Sequence, residues 1–286
     1  MQAMPNTAQL DTVTHTSAPR RQFAPSLARG VKVLEALATS AAPKSLASIS
    51  RCLDLPRSST LALCNTLVSA GLVVRDTAGT YRLGPHVLVF SSSYLSQSDL
   101  PREFERQCHV LNVLPEHTLV LSVLDGAEVT FIGRRRGAHP VAISYQLGMR
   151  LPANCTASGK ALLYSLEPDE LRSLYRNHAQ DGLPALTPQS IVNLEALIED
   201  FAGAVGRGYA IDDEESSPGT ICLGAPVSDI TGRAIGAVAV SMVKAALTAD
   251  ELVVVASELC RLTATMSIAL GGRPAGRRPD SLTMRG

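Results

Sequence analysis

Residues 45–70, SLASISRCLDLPRSSTLALCNTLVSA, read as two short helices joined by a tight turn, and the fold of the chain follows from that reading. Leu46, Ile49 and Leu53 recur at helical spacing behind Ser45, whose hydroxyl can accept from the free amides of a first turn. Asp54-Leu55-Pro56 then stops the helix. Proline lacks an amide donor and is tolerated in a first helical turn, so Pro56 is expected to open the second helix. The inner face of that helix carries Leu63, Leu67 and Cys64. Its outer face starts Arg57-Ser58-Ser59-Thr60, small hydroxyls and a guanidinium suited to phosphates and base edges. Alone, the pattern fits a DNA-reading helix-turn-helix or an ordinary capped surface helix.

The flanks favour the first. Upstream, SLARGVKVLEALAT from Ser26 places Leu27, Val31, Leu34 and Leu37 on one helical stripe, ended by Ala41-Ala42-Pro43. Downstream, Gly71 stops the second helix, Leu72 to Arg75 and Thr80 to Leu83 form strands, and Asp76 to Gly79 turns between them. A hairpin directly after a helix-turn-helix is a wing. The expected DNA contacts are Ser45, Arg57, Ser58, Ser59, Thr60 and Leu61, with Arg75 and Arg82 on the wing.

The charge distribution agrees. The 286 residues are neutral overall, but residues 1–98 hold nine basic and four acidic side chains, a balance of +5, against −5 for the remainder. A basic end on an acidic body is expected where one end faces phosphates. A hydrophobic fraction of 45% with 18% charged residues indicates a folded protein. No apolar run is read as long enough to span a bilayer, and no basic-then-apolar secretory signal opens the chain, so the expected location is the cytoplasm, with no membrane partner. The six cysteines are scattered without a C-x-x-C pair, so neither a disulfide frame nor a metal site is expected.

Outward from the wing, residues 1–24 read as a disordered arm, in which Arg20 and Arg21 could touch phosphate, and residues 25–84 as the DNA-binding domain. Residues 85–99 form a linker helix that could carry a dimer contact, 100–272 an effector domain of mixed α and β, and 273–286 a flexible basic tail. Within the effector domain a helix is expected over Pro101 to Leu114, strands over Thr118 to Leu124 and Val129 to Gly133 about the Asp125-Gly126 turn, and another over Val141 to Tyr145. Arg134-Arg135-Arg136 reads as a solvated loop. In LPANCTASGKALLYSL, from Leu151, Thr156 is a natural N-cap, leaving amides near Ala157, Ser158 and Gly159 free for a carboxylate or phosphate, although from this segment alone a capped core helix is the better reading. Helices over Glu167 to Asn177 and Ser190 to Val205 precede strands over Tyr209 to Asp212, Thr220 to Val227 and Ala234 to Met242, and a long helix over Thr248 to Leu270. The run Asp212-Asp213-Glu214-Glu215 reads as solvated, with no histidine nearby to complete a metal site.

No enzyme or cofactor motif is present. Gly159-Lys160 lacks both the upstream glycine and the following hydroxyl of a phosphate-binding loop, and no G-x-S-x-G, H-E-x-x-H or G-x-G-x-x-G occurs. The alternative of an enzyme using Cys155 as nucleophile has no partner motif.

Four blocks together, SLARGVKVLEAL, LPRSS...NTLVSAGLV with YRLG, LPANCTASGKALL and RGYAIDDEE...G...C...APV...GR...A...VS, resemble the IclR family of bacterial transcription regulators from about Ser26 to Gly271. The resemblance implies an α+β chain, with an N-terminal winged helix-turn-helix joined by a linker helix to a GAF-like α/β effector-binding domain. It also implies homodimers or homotetramers on partly palindromic double-stranded promoter DNA, and a repressor more than an activator of a catabolic operon. A small organic acid is expected as effector, a keto acid or an aromatic acid, with the resemblance favouring the aromatic one. Carried over by position, its contacts are the amides of Ala157 and Ser158, with Asp212, Cys222 and Ser241 on the strands. Ala239 stands where some members have a further hydroxyl, and Leu147, Met149, Leu151 and Ala153 form an apolar wall. Leu61 and Ala62 replace a His and an Arg that many members carry midway along the recognition helix.

Overall fold

The computed structural model describes residues 24–138, 145–176 and 182–273, and the chain divides into two compact units, residues 1–93 and 94–286. In the first unit, α1 (Pro25–Ala38), α2 (Leu46–Cys52) and α3 (Arg57–Ser69) pack with a small sheet of β1 (Lys44–Ser45), β2 (Val73–Arg75) and β3 (Thr80–Leu83). Val33, Leu37, Ile49, Cys64, Val73 and Tyr81 form its core. Ser45 caps α2, accepting from the Ser48 amide at 3.2 Å. The turn between α2 and α3 places Asp54 at φ 50°, a left-handed conformation that aspartate tolerates better than most residues. Gly71, at φ 70°, ends α3 and lets the chain double back into the wing.

Three expectations for this unit change. The buried stripe of α1 is Gly30, Val33 and Leu37, so Leu27 (71% exposed) and Val31 face outward; the helix is rotated by about one residue from the expected stripe. Pro56 sits at the N-cap and the helix begins at Arg57. The hairpin also gains a third strand, as Lys44 and Ser45 pair with Tyr81 and Thr80.

The second unit is built on a six-stranded antiparallel sheet, in the order β6-β5-β4-β9-β8-β7. Its strands are β4 (Thr118–Asp125), β5 (Glu128–Arg135), β6 (Arg150–Pro152), β7 (Ala210–Asp213), β8 (Thr220–Ser228) and β9 (Ala234–Val243). Helices cover both faces, so β8 and β9 are almost continuously buried. On one face α5 (Asp99–Leu111) and α9 (Ala249–Ala269) pack through Phe104, Cys108, Leu259, Leu262 and Met266 onto Leu119, Leu121, Leu223 and Val240. On the other face α6 (Ala157–Leu163), α7 (Pro168–Leu174) and α8 (Leu194–Arg207) cover Val120, Phe131, Ala237 and Ala239. The helix α4 (Val87–Gln97) spans the division between the units.

By length and composition α9 is apolar enough to cross a bilayer, contrary to the sequence expectation, but Val255, Leu259, Leu262 and Met266 pack in the core face just described. Arg134 and Arg135 close β5 and are not part of a solvated loop. The Arg135 guanidinium donates to the carbonyls of Val113, Leu114 and His117, satisfying a turn that holds Asn112 and Leu114 at positive φ. Burial holds this guanidinium below its ordinary range. The short β6 falls outside the expected strands, and the strand expected over Val141 to Tyr145 lies, apart from Tyr145, outside the described residues. So do Arg20, Arg21 and nearly all of the expected arm and tail.

Candidate functional sites

The outer face of α3 is set by helical geometry. With Cys64 buried at its centre, Arg57, Ser58, Leu61, Ala62, Asn65 and Thr66 lie exposed and Ser59 half-exposed. Thr60 is a correction to the expected contact set. It is fully buried, and its Oγ1 donates to the Pro56 carbonyl at 3.0 Å, so its hydroxyl closes the first turn of α3 and is not presented to DNA. Asn65, one turn beyond Leu61, takes the outward place; asparagine can donate to and accept from one adenine edge. The 58/61/65 spacing was its signal in the sequence. Ser45 is exposed, but its hydroxyl is engaged as the α2 cap. On the wing Arg82 is exposed, and the Arg75 guanidinium lies over the Tyr81 ring, 5.6 Å from its centroid.

In the second unit the sheet register gathers the candidate effector residues. Asp212, Cys222, Ser241 and Thr118 are successive cross-strand partners on β7, β8, β9 and β4, and therefore project from one row on one face. The next row on that face runs through Ala210, Gly224, Ala239 and Val120. The start of α6 is seated on this second row. A Cβ added to Gly224 would lie 2.3 Å from the Ala157 carbonyl carbon and 2.5 Å from the Ser158 nitrogen, so only glycine admits the helix backbone there. Thr156 caps the helix, accepting from the Gly159 amide at 3.1 Å. Ala157, Ser158, Asp212, Cys222, Ala239 and Ser241 are thus brought together and buried.

The apolar wall is only partly as expected. Ala153 is buried, and Met149 and Leu151 pack against the core on the α6 side, but Leu147 is 56% exposed and lines no enclosed wall; it sits in the turn before Gly148, whose φ of 80° points the chain outward.

The acidic run is also corrected. Asp213 and Glu214 are at the surface and pair with Lys244 at 2.6 and 2.7 Å, whereas Asp212 and Glu215 are buried. Alternation along β7 turns Asp212 inward, and Glu215 is drawn in by Lys160, itself 1% exposed, whose Nζ lies 2.6 Å from Glu215 Oε1 and 3.1 Å from Asp200 Oδ2. Asp212 Oδ1 accepts from the amides of Glu215 and Ser216 at 2.8 and 3.0 Å, and the Ser216 hydroxyl donates to Oδ2. Thr187 and Ser190 donate to the Glu215 carbonyl at 3.2 and 2.8 Å. Burial pushes the carboxyls of Asp212 and Glu215 above their ordinary range, opposed by the Ser216 bonds in the first and by Lys160 in the second. Lys160 and Gly224 were missed in the sequence because a buried lysine and a close-approach glycine look like any others until the register is known.

Cys155 is fully buried, its thiol donates to the Pro184 carbonyl at 3.2 Å, and burial pushes it up to about 11. That is the environment of a packed core thiol, not of a nucleophilic thiolate. Cys222 is likewise pushed up to about 12 by burial and by the Asp212 charge.

Two family models match, the IclR helix-turn-helix domain over residues 26–77 and the bacterial transcriptional regulator IclR C-terminal domain over residues 92–268. The chain is 33% identical over 253 residues to the HTH-type transcriptional repressor AllR of Salmonella typhimurium, covering 88% of this chain and 92% of that protein. Among solved structures, the Agobacterium tumefaciens repressor BlcR is 35% identical with a TM-score of 0.57, covering 88% of this chain and 99% of that one. An IclR transcriptional regulator from Alicyclobacillus acidocaldarius, at 22% identity and a TM-score of 0.74 over 88% of this chain and all of that one, shares the fold.

The Lys160 cluster generates a test with a defined sign. Both Asp212 and Glu215 have folded-state pKa values raised above the unfolded ones, so protonation favours the folded state. The cost of burying them as anions is present above the raised values and is relieved as pH falls through them. Lys160→Met removes the counter-charge and should cost about 3–5 kcal/mol at pH 7. Urea unfolding should show a smaller deficit at pH 5 than at pH 7; an equal deficit would contradict the buried-pair account.

Proposed function

The chain belongs to the IclR family of bacterial transcriptional regulators, and on that premise we propose that it is a ligand-responsive repressor that binds promoter DNA and senses a small organic acid. The observation that carries this reading is the pairing of an exposed, uncapped start of α3 with an adjacent basic wing. In this reading α3 enters the major groove: Arg57 and Ser58 meet phosphate or base edges, Leu61 packs on a thymine methyl, and Asn65 reads an adenine. Arg82 and Arg75 hold the backbone from the wing. The names of AllR and BlcR support repression over activation.

The effector binds in the second unit, its carboxylate on the Ala157 and Ser158 amides and its remainder over Cys222, Ala239 and Ser241. Asp212 has a different part from the one carried over by resemblance. Its oxygens accept from the Glu215–Ser216 corner, so it shapes the pocket floor. Ligand binding shifts the spacing of two recognition helices in a dimer, and affinity for a palindrome depends on that spacing. Residues 25–84 act as the DNA-binding domain, 85–99 as the linker and 100–272 as the effector domain, working in the cytoplasm.

The dimer reading rests on apolar surface. Leu27 and Val31 on α1 and Leu88, Val89 and Phe90 on α4 are all exposed, five large apolar side chains on two helices. A second copy of the chain covers them.

Arg57→Ala should weaken binding to DNA flanking the protein's own gene by about tenfold and lower the salt slope by about one, read by fluorescence anisotropy; an unchanged isotherm would mean the reading face is misplaced. Phe90→Asp should convert the dimer to monomer in sedimentation velocity, and an unaltered dimer would remove α4 from the interface.

A further inference from the structure

Between α7 and α8, residues 183–192 run without helix or strand, and polar side chains hold them to two other parts of the effector domain. The Leu183 amide donates to the Val192 carbonyl at 2.8 Å and closes the base of the segment, where Leu183 and Ile191 pack into the core on the α6 side. Asn154, fully buried just before α6, reaches across that base: its Nδ2 donates to the carbonyls of Pro184 at 2.7 Å and Ile191 at 3.0 Å. The Cys155 thiol donates to the same Pro184 carbonyl. At the tip the partners change. The Ser190 hydroxyl accepts from the amides of Leu186 and Thr187 at 3.0 and 3.1 Å and donates to the Glu215 carbonyl at 2.8 Å. The Thr187 hydroxyl shares its proton between the carbonyls of Glu214 and Glu215, at 2.7 and 3.2 Å. The segment therefore bridges the start of α6 and the β7–β8 corner, the two parts that flank the proposed effector site.

We propose that residues 183–192 are a clasp over the start of α6, which opens together with the β7–β8 corner as one unit and so gates access to the effector site. The purpose assigned to the clasp rests on the pocket reading above; its motion does not. The clasp is held unevenly. Its base is anchored by apolar packing, but at the tip Ala185, Pro188 and Gln189 are exposed and Leu186 is half-buried, so the tip is held chiefly by hydroxyl bonds to carbonyls. A segment with few buried apolar contacts opens at a lower free energy than the sheet beside it. Opening does not stop at the tip, because the Glu215 carbonyl loses Ser190 and Thr187 together. The carboxylate of the same residue is held by Lys160 on α6, and Lys160 also meets Asp200 on α8, the helix that Asn193 caps directly after the clasp. A closed polar ring results: Asn154 to the clasp, the clasp to Glu215, Glu215 to Lys160, and Lys160 to Asp200 on the helix the clasp leads into. Cys155 reports on this ring, since its buried thiol is bonded to a clasp carbonyl and immediately precedes the α6 cap at Thr156.

The test needs no ligand. The full chain, as wild type, Ser190→Ala and the volume-keeping Thr187→Val, is labelled with iodoacetamide, and the rates at Cys155 and Cys108 are read by peptide mass spectrometry. Hydrogen exchange is followed in parallel in the peptide covering residues 212–217. Cys108 is the control, because it lies on α5 across the sheet and burial pushes both thiols up to about 11, so their thiolate fractions match. Each variant should speed Cys155 labelling about tenfold and exchange at the Glu215 and Ser216 amides about fivefold, with Cys108 unchanged. An equal Cys155 rate in all three proteins would overturn the proposal, and so would a rise shared by Cys108, which reports loosening of the whole domain. Faster labelling of Cys155 with exchange over 212–217 as in wild type would mean that the clasp opens alone, and would overturn the coupled motion. Because no acid enters the experiment, each of these failures leaves the pocket reading where it stands.

Discussion

The effector domain depends on one close contact, the start of α6 lying directly on the bare Cα of Gly224. Because no Cβ intervenes, the helix backbone reaches the sheet at 2.3–2.5 Å from where one would be, and the polar row of Asp212, Cys222 and Ser241 lies one pleat along the same face. Any side chain at 224 would lift the helix and separate its amides from that row. The arrangement of the proposed site is thus a consequence of backbone packing before it is a matter of side chains.

A seated helix must also be kept from sliding, and charge does this. Lys160, one turn into α6, is buried against Glu215 and Asp200, while Asp212 gathers the Glu215 and Ser216 amides. Buried pairs of this kind add little net stability, but breaking one is expensive, so they favour a single arrangement of helix and corner. An anion at the α6 amides, as proposed above, would enter a region already holding three carboxylates around one lysine. In the proposed reading, binding there would be sensitive to how these charges are compensated, which would couple the pocket to the β7–β8 corner.

Much of this was legible in the sequence, and the failures have physical causes. The helix-turn-helix, the wing and the N-cap at Thr156 came from local chemistry: a hydroxyl before an apolar period, a proline after a turn, a glycine at a helix end. Thr60 failed because its place depends on the rotation of α3 about its axis, which is fixed by Cys64 reaching the core and not by residue type. The stripe on α1 failed in the same way, with Gly30 inside and Leu27 outside. Asp212 and Glu215 look like solvated acids in a run of four until strand alternation and a lysine 55 residues earlier bury them.

The central claim is that DNA affinity and acid binding are coupled, and linkage makes the coupling measurable from one side. Titrating the full chain onto fluorescent DNA from the region flanking its own gene, with and without saturating pyruvate, tests it most directly. The account predicts that the acid changes the dissociation constant at least fivefold in wild type, and that the change is lost in Gly224→Ala, with the α6 amides displaced. Specific binding to the same DNA with an identical constant in both conditions would contradict it.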